Sequence, residues 1–99
     1  MLKMPVIINK FGEKLDVLIE GNFSKPDTVL FVHGLSTDKH ETDHYFDDLS
    51  SSLGRDFKIV RFDFSGCGKS EGSLQEKDFE KWADDLEAVI NHIKNKFEG

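Results

Sequence analysis

The spacing of apolar residues changes along this chain, and the changes predict an alternation of strands and helices. Residues 5–9 (PVIIN) and 15–20 (LDVLIE) are rich in β-branched residues and flank a turn with Gly12, so they predict a hairpin over about 5–20. The run TVLFV is apolar without alternation, which is typical of a strand covered on both faces; we place that strand at 28–33. The run FKIVRFDF predicts a further strand over 57–64.

Two segments carry apolar residues at helical spacing. The first predicts a short helix over about 42–53, which Gly54 ends. The second predicts a helix over about 78–97, with acidic residues early and lysines late, as the helix dipole favours. Its apolar stripe, which we expect to pack in the core, comprises Phe79, Trp82, Leu86, Val89, Ile90, Ile93 and Phe97.

The resulting order, β-β-β-α-β-α, predicts a single α/β domain over residues 1–99. A strand, a helix and a strand in succession form a parallel pair with a right-handed crossover. The last helix is followed by no predicted strand, although a helix with one apolar stripe normally leads back to a sheet. We therefore expect the domain to be partial.

Composition narrows the classes of partner and compartment. The 99 residues carry a net charge of −6, which argues against nucleic acid and anionic membranes as partners. Cys67 is the single cysteine, so an intrachain disulfide is excluded and a reducing compartment fits. The apolar runs are too short to span a bilayer, and the N-terminus lacks the pattern of a signal peptide. We expect a cytoplasmic protein.

A zinc-peptidase pattern, H-E-x-x-H, occurs at His40 and His44. If 40–53 were one helix, both histidines would face away from its apolar side. The pattern therefore indicates a solvated helix start, and we assign no metal ligands, although surface binding of zinc stays open.

Residues 66–72 (GCGKSEG) contain two further patterns. The Gly-Lys-Ser run resembles the end of a P-loop, but Asp63 stands where that loop needs its first glycine, so we expect no bound nucleotide and no cofactor. The run Gly-Lys-Ser-Glu-Gly satisfies the G-x-S-x-G pattern of a serine nucleophile. Because Ser70 lies well past Phe64, the last strand-like residue, we interpret it as a loop serine.

Two motifs together resemble the α/β-hydrolase family, and most of all its cinnamoyl (feruloyl) esterase and acyl-peptidase-like branch. The first is HGLS at 33–36, at the end of the predicted strand 28–33. The second is RFDFSGCGKSEG at 61–72, which begins in the predicted strand 57–64 and continues into the loop after it. The second run matches the family pattern D-x-R-G-x-G-x-S-x-G at Asp63, Gly66, Gly68, Ser70 and Gly72, and departs from it at Ser65 and Cys67.

The resemblance implies the N-terminal part of an α/β-hydrolase fold: a β-hairpin, then β-α-β-α in a mostly parallel sheet, ending before the strand that carries the nucleophile. It implies that the backbone N–H of Leu35 is an oxyanion-hole donor and that His33 organises the loop rather than acting as the base. The family's nucleophile, acid and base would lie in later segments. The implied activity is the hydrolysis of small-molecule esters or amides through an acyl-enzyme, and we expect none from these residues alone.

Two other classes of function stay open. A strand at 28–33 that lacks a neighbour on one side could pair with a complementing chain or with a second copy, which would make the chain a non-enzymatic interaction module. A metallopeptidase or a nucleotide-binding protein is the remaining alternative.

Overall fold

The computed structural model describes residues 2–34, 37–41 and 44–97. Their strands form one four-stranded sheet in the order β1-β2-β4-β3. The elements are β1 (Val6–Ile8), β2 (Lys14–Gly21), β3 (Thr28–Phe31), α1 (Tyr45–Leu53), β4 (Lys58–Phe62) and α2 (Phe79–Phe97). This is the mixed α/β architecture that the sequence predicts.

The hairpin of β1 and β2 begins the fold. The two strands pair antiparallel, with Ile7 opposite Leu15. Asn9 closes the turn: its side-chain oxygen accepts hydrogen bonds from the backbone N–H groups of Phe11 and Glu13, each at 3.0 Å. This arrangement satisfies two backbone donors within the turn, which a buried asparagine can do but an apolar residue cannot.

Strand β4 lies in the centre of the sheet, and all five of its residues are buried. It pairs antiparallel with β2 and parallel with β3. Two of its residues are cationic. Arg61 forms ion pairs with Glu20 and Asp47, and Lys58 donates to the backbone carbonyl of Lys25 at 2.5 Å. These contacts offset the cost of burying charge in a central strand.

Strand β3 differs from the sequence expectation. It ends at Phe31 rather than at residue 33, and only Phe31 is buried on it, whereas a strand covered on both faces was predicted. The side chain of Val32 is 44% exposed. The reason is position: among the described strands β3 is the last in the order, so it pairs with β4 alone.

Helix α1 begins at Tyr45, later than the predicted residue 42, and residues 42 and 43 lie outside the described part of the chain. His44 precedes the helix with a left-handed backbone (φ 58°), so His40 is not part of it. Gly54 follows the last residue, and its N–H donates to the carbonyl of Ser50 at 2.8 Å.

Helix α2 packs its predicted stripe against the core, with Trp82 and Val89 buried and Leu86 and Ile93 partly buried. Val89 is fully buried, and the ring of Trp82 stacks on Phe64 with centroids 4.5 Å apart. Phe79 is the exception: it is 83% exposed, because as the first residue of the helix it lies at the rim of an open cavity of about 310 Å³. The side chain of Phe97 lies outside the described residues. Neither described helix is long and apolar enough to cross a membrane.

The sheet core offers a matched test of the fold. Ile19 on β2 is 2% exposed, whereas Ile8 on β1 is 54% exposed. We expect Ile19→Val to lower the free energy of unfolding by about 0.5–1.5 kcal/mol, because it removes a buried methylene. Ile8→Val should change that free energy by less than about 0.5 kcal/mol. Urea unfolding followed by the fluorescence of Trp82 measures both, and equal costs at the two positions would contradict this packing.

Candidate functional site

The loops that carry the two sequence motifs leave the sheet at the same edge. β3 and β4 are parallel and adjacent, with Phe31 opposite Arg61, so their carboxyl ends lie side by side. In open α/β sheets ligands bind in the crevice at this edge. The segment that begins at His33 and the loop that begins at Asp63 therefore form the candidate site.

His33 connects these two segments. It is 3% exposed, and its Nε2 accepts the backbone N–H of Phe64 at 3.0 Å. Its Nδ1 lies 2.7 Å from the carbonyl oxygen of Gly34, to which it donates. The imidazole also packs edge-on against Phe64 and Trp82. Both ring nitrogens are thus occupied by backbone groups, one in each of the two segments.

Gly34 is held on both sides of its backbone. Its carbonyl accepts from His33, and its N–H donates to a carboxylate oxygen of Glu41 at 2.8 Å. Leu35, whose backbone N–H is the predicted oxyanion-hole donor, lies outside the described residues. Its role therefore stays a prediction.

Asp63 links the segment after β3 to the loop after β4. It is fully buried, and its carboxylate accepts the backbone N–H groups of Lys39 (2.7 Å) and Lys69 (2.9 Å) and the Lys39 ammonium (3.1 Å). Burial alone would lower the pKa of Lys39, but hydrogen bonds to the carboxylates of Asp16 and Asp63 outweigh it and raise that pKa. The Lys39 side chain therefore stays charged and compensates the buried carboxylate.

The same carboxylate explains why the Gly-Lys-Ser run is not a P-loop. A P-loop turns its backbone N–H groups towards a phosphate. Here the N–H of Lys69 already donates to Asp63, an internal anion supplied by the chain itself. The loop thus resembles an anion-binding turn in which the carboxylate of Asp63 takes the place of a bound phosphate.

Ser70 has a structural role in this loop. Its hydroxyl donates to the backbone carbonyl of Asp63 at 2.5 Å and accepts the backbone N–H of Asp16 at 2.7 Å. No histidine of the described residues hydrogen-bonds to it. A hydroxyl that satisfies two backbone groups, and that lacks a base, is not arranged as a nucleophile.

Asp85 is a site residue that the sequence analysis missed. It is fully buried and accepts the N–H and hydroxyl of Ser65 (2.8 and 2.6 Å) and the amide of Asn9 (2.8 Å). Sequence reasoning had counted it among the acidic residues at the helix start. The available signal was its spacing: Asp85 follows Trp82 by three residues and precedes Val89 by four, so it shares their buried face.

Cys67, the second departure from the family pattern, is 7% exposed and belongs to the core. Burial raises the pKa of its thiol, and the carboxylates of Asp63, Asp38 and Asp85 raise it further. The thiol therefore stays protonated, which makes it a poor nucleophile.

We expect Ser70→Ala to destabilise the protein. Loss of the hydroxyl leaves the N–H of Asp16 without its acceptor, which costs about 1–3 kcal/mol in the free energy of unfolding. Ser73→Ala in the same loop is the control, because Ser73 is exposed and its side chain caps nothing. Urea unfolding measures both variants; a neutral Ser70→Ala would contradict the structural role.

Two glycines with positive φ make a second pair. A Cβ at Gly68 would lie 2.4 Å from the carboxyl group of Asp63, whereas one at Gly12 would meet nothing within 4 Å. Gly12→Ala should therefore cost only the backbone strain of about 1–2 kcal/mol. Gly68→Ala should cost about 1–3 kcal/mol more, because the carboxylate must move. Equal losses in urea unfolding would show that Asp63 does not restrict this position.

Comparison with known proteins agrees with this arrangement. Residues 24–99 match the family described as "Serine aminopeptidase, S33". Over 66 residues, 66% of this chain, the sequence is 30% identical to the mitochondrial palmitoyl-protein thioesterase ABHD10 of Bos taurus, of which the chain spans 21%.

Two solved esterases are similar in structure. The Pyrococcus furiosus esterase Pf2001 matches 98% of this chain with a TM-score of 0.83 at 24% identity, and the match spans 38% of that esterase. Est1E from Butyrivibrio proteoclasticus, solved with ferulic acid, matches 94% with a TM-score of 0.84 at 23% identity, also over 38% of its length. These similarities indicate a shared fold, and the family match covers most of the sequence. The chain belongs to the serine aminopeptidase (S33) family, as an N-terminal portion of the α/β-hydrolase fold.

Proposed function

We propose that this chain supplies the oxyanion-hole half of a serine hydrolase that transfers acyl groups from small-molecule esters, thioesters or amides to water. The observation that carries the proposal is the position of His33 and Gly34. They lie at the carboxyl end of β3. The backbone N–H of Phe64, in the loop after β4, donates a hydrogen bond to Nε2 of His33 and so links the two segments. Relatives with this fold include esterases and a thioesterase by name, and the family is described as an aminopeptidase family.

The hydrogen bonds that fix the backbone of Gly34 support the proposed role of the Leu35 backbone N–H as a donor to the oxyanion. In a trans peptide the N–H points away from the C=O of the preceding residue. The Gly34 carbonyl is directed at the imidazole of His33, so the amide of Leu35 is expected to point to the opposite side. A donor held in this way costs no reorganisation when negative charge develops on the substrate oxygen, and that is how an oxyanion hole lowers the barrier.

These residues by themselves are proposed to be inactive. The serine of the G-x-S-x-G pattern is bound to two backbone groups, and both nitrogens of His33 are occupied. A donor to the oxyanion without a nucleophile and a base gives little acceleration. The nucleophile, acid and base are proposed to come from the remainder of the fold, which these residues do not span in the relatives they match.

A non-enzymatic interaction module is the second candidate. It is supported by the edge of β3, which faces no other described strand, and by the exposed Val32 that follows the strand. Such an edge can pair with a complementing chain or with a second copy. For the compartment, the buried free Cys67 favours the cytoplasm, while the bovine relative is named as mitochondrial.

The oxyanion assignment is tested by removing the backbone N–H of Leu35. In the complete enzyme that contains these residues, Leu35→Pro removes the backbone N–H, and we expect kcat for a p-nitrophenyl ester to fall about 10²–10³-fold. Leu35→Ala keeps the donor and should retain kcat within several-fold. Full activity of Leu35→Pro would overturn the assignment.

Residues 1–99 alone should neither hydrolyse the ester nor react with a fluorophosphonate probe. Labelling of Ser70 would refute the proposal that the nucleophile lies outside these residues. If the complete protein is also inactive, and sedimentation finds residues 1–99 as a stable dimer or bound to a partner strand, the interaction module is the better description.

A further inference from the structure

Three metal-ligating side chains converge at the start of α1, apart from the site described above. They are His40, His44 and Asp47, and their candidate ligand atoms all lie within 4.8 Å of one another. The Nδ1 of His40 lies 2.7 Å from one carboxylate oxygen of Asp47, and the Nδ1 of His44 lies 2.8 Å from the other. Each imidazole therefore directs the same nitrogen at the same acid.

The local backbone produces this convergence without a shared helix. His40 lies in a turn, and its carbonyl accepts the N–H of Phe46 at 2.9 Å. His44 has a left-handed backbone, and its N–H donates to the carbonyl of Glu41 at 3.2 Å. The chain thus folds back on itself, and the two imidazole centroids come within 5.8 Å.

The carboxylate of Asp47 is held from the protein side. The Arg61 guanidinium, 7% exposed, pairs with it and also donates through Nε to Glu20 at 2.7 Å. The carboxylate of Asp47 also lies within hydrogen-bonding distance of His40 and His44. It is therefore fixed in orientation, as carboxylate ligands of metals usually are.

We propose that His40, His44 and Asp47 form a binding site for a divalent transition-metal ion, with Zn²⁺ as the preferred ion. Imidazole nitrogen and carboxylate oxygen are ligands that Zn²⁺ accepts, at bond lengths of about 2.0–2.2 Å. A tetrahedral ion at those lengths places its ligand atoms about 3.3 Å apart. The two nitrogens lie 2.7 and 2.8 Å from different oxygens of Asp47, and the candidate ligand atoms all lie within 4.8 Å of one another. Shifts of about 0.5–1.5 Å therefore bring one atom from each side chain to the separation that a tetrahedral ion requires.

The site has an open position but not the arrangement of a peptidase. The side chain of His44 is 76% exposed, so water can complete the coordination. In a zinc peptidase the glutamate of H-E-x-x-H acts as the general base. Here Glu41 uses its carboxylate to accept the N–H of Gly34. The ion is thus proposed to link His40 to the start of α1, next to Glu41, which holds Gly34, rather than to catalyse hydrolysis.

Calorimetric titration of the metal-stripped chain with Zn²⁺ alone tests the proposal. We expect one ion per chain and a rise in Tm at saturation, because the ion binds the folded state. His44→Gln should weaken binding at least about tenfold. Since His44 is exposed and its side chain contacts Asp47 only at the surface, this variant should keep the Tm of the metal-free protein.

Two variants of neighbouring acids provide the matched control. Asp47→Asn should weaken binding as His44→Gln does, whereas Asp48→Asn removes an equal charge from the same turn of α1 and should leave the affinity unchanged. Absence of Zn²⁺ binding by the unmodified chain would overturn the proposal. So would equal affinities for the unmodified chain and His44→Gln, because the ion would then bind elsewhere.

Discussion

A single buried carboxylate, that of Asp63, determines how both loops leave the carboxyl edge of the sheet. It has no exposed surface, and its donors come from two segments: the backbone and ammonium of Lys39 and the backbone of Lys69. A carboxyl group in the interior is tolerated only when it is paired and hydrogen-bonded. The fold must therefore bring these segments to Asp63, and in doing so it fixes the loops on either side of the candidate site.

This constraint gives the loop pattern a physical meaning. The glycine at position 68 is required because a Cβ there would collide with the carboxylate that the loop encloses. The serine at position 70 is required because its hydroxyl bridges the backbone of Asp63 and Asp16. Residues that resemble catalytic or nucleotide-binding signatures in the sequence thus serve to pack a loop.

The sequence was sufficient for those parts of the fold that depend on local periodicity. The stripe of α2 and the alternation in the hairpin follow from spacing, because burial on one face imposes that spacing directly. The two later strands follow from short apolar runs instead. Burial of charge was not predictable in the same way. The burial of Asp85 depends on hydrogen bonds from Asn9, 76 residues away in the sequence, and from Ser65, 20 residues away. The sequence around Asp85 does not predict such distant partners. The exposure of Phe79 and of β3 likewise depends on which neighbours are present, not on the residues themselves.

In the candidate site, too, some features follow from the local sequence and others depend on contacts between distant residues. The motif at 33–36 predicts a donor at Leu35, which lies outside the described residues. The position of Gly34 depends on the contact of His33 with Phe64, which only the fold creates. The interpretation of the H-E-x-x-H pattern assumed one helix over 40–53, whereas α1 begins at Tyr45 and His40 lies outside it. The grouping of its histidines around Asp47 arises from a left-handed turn that helical periodicity does not describe.

The burial of Cys67 has a practical consequence for work in solution. Because this thiol is buried and protonated, it should react only slowly with maleimide reagents at neutral pH in the native state. A cysteine introduced on the surface could then be conjugated to a fluorophore or spin label selectively, with the natural residue left in place. Distances between such labels would report whether the edge of β3 pairs with another segment.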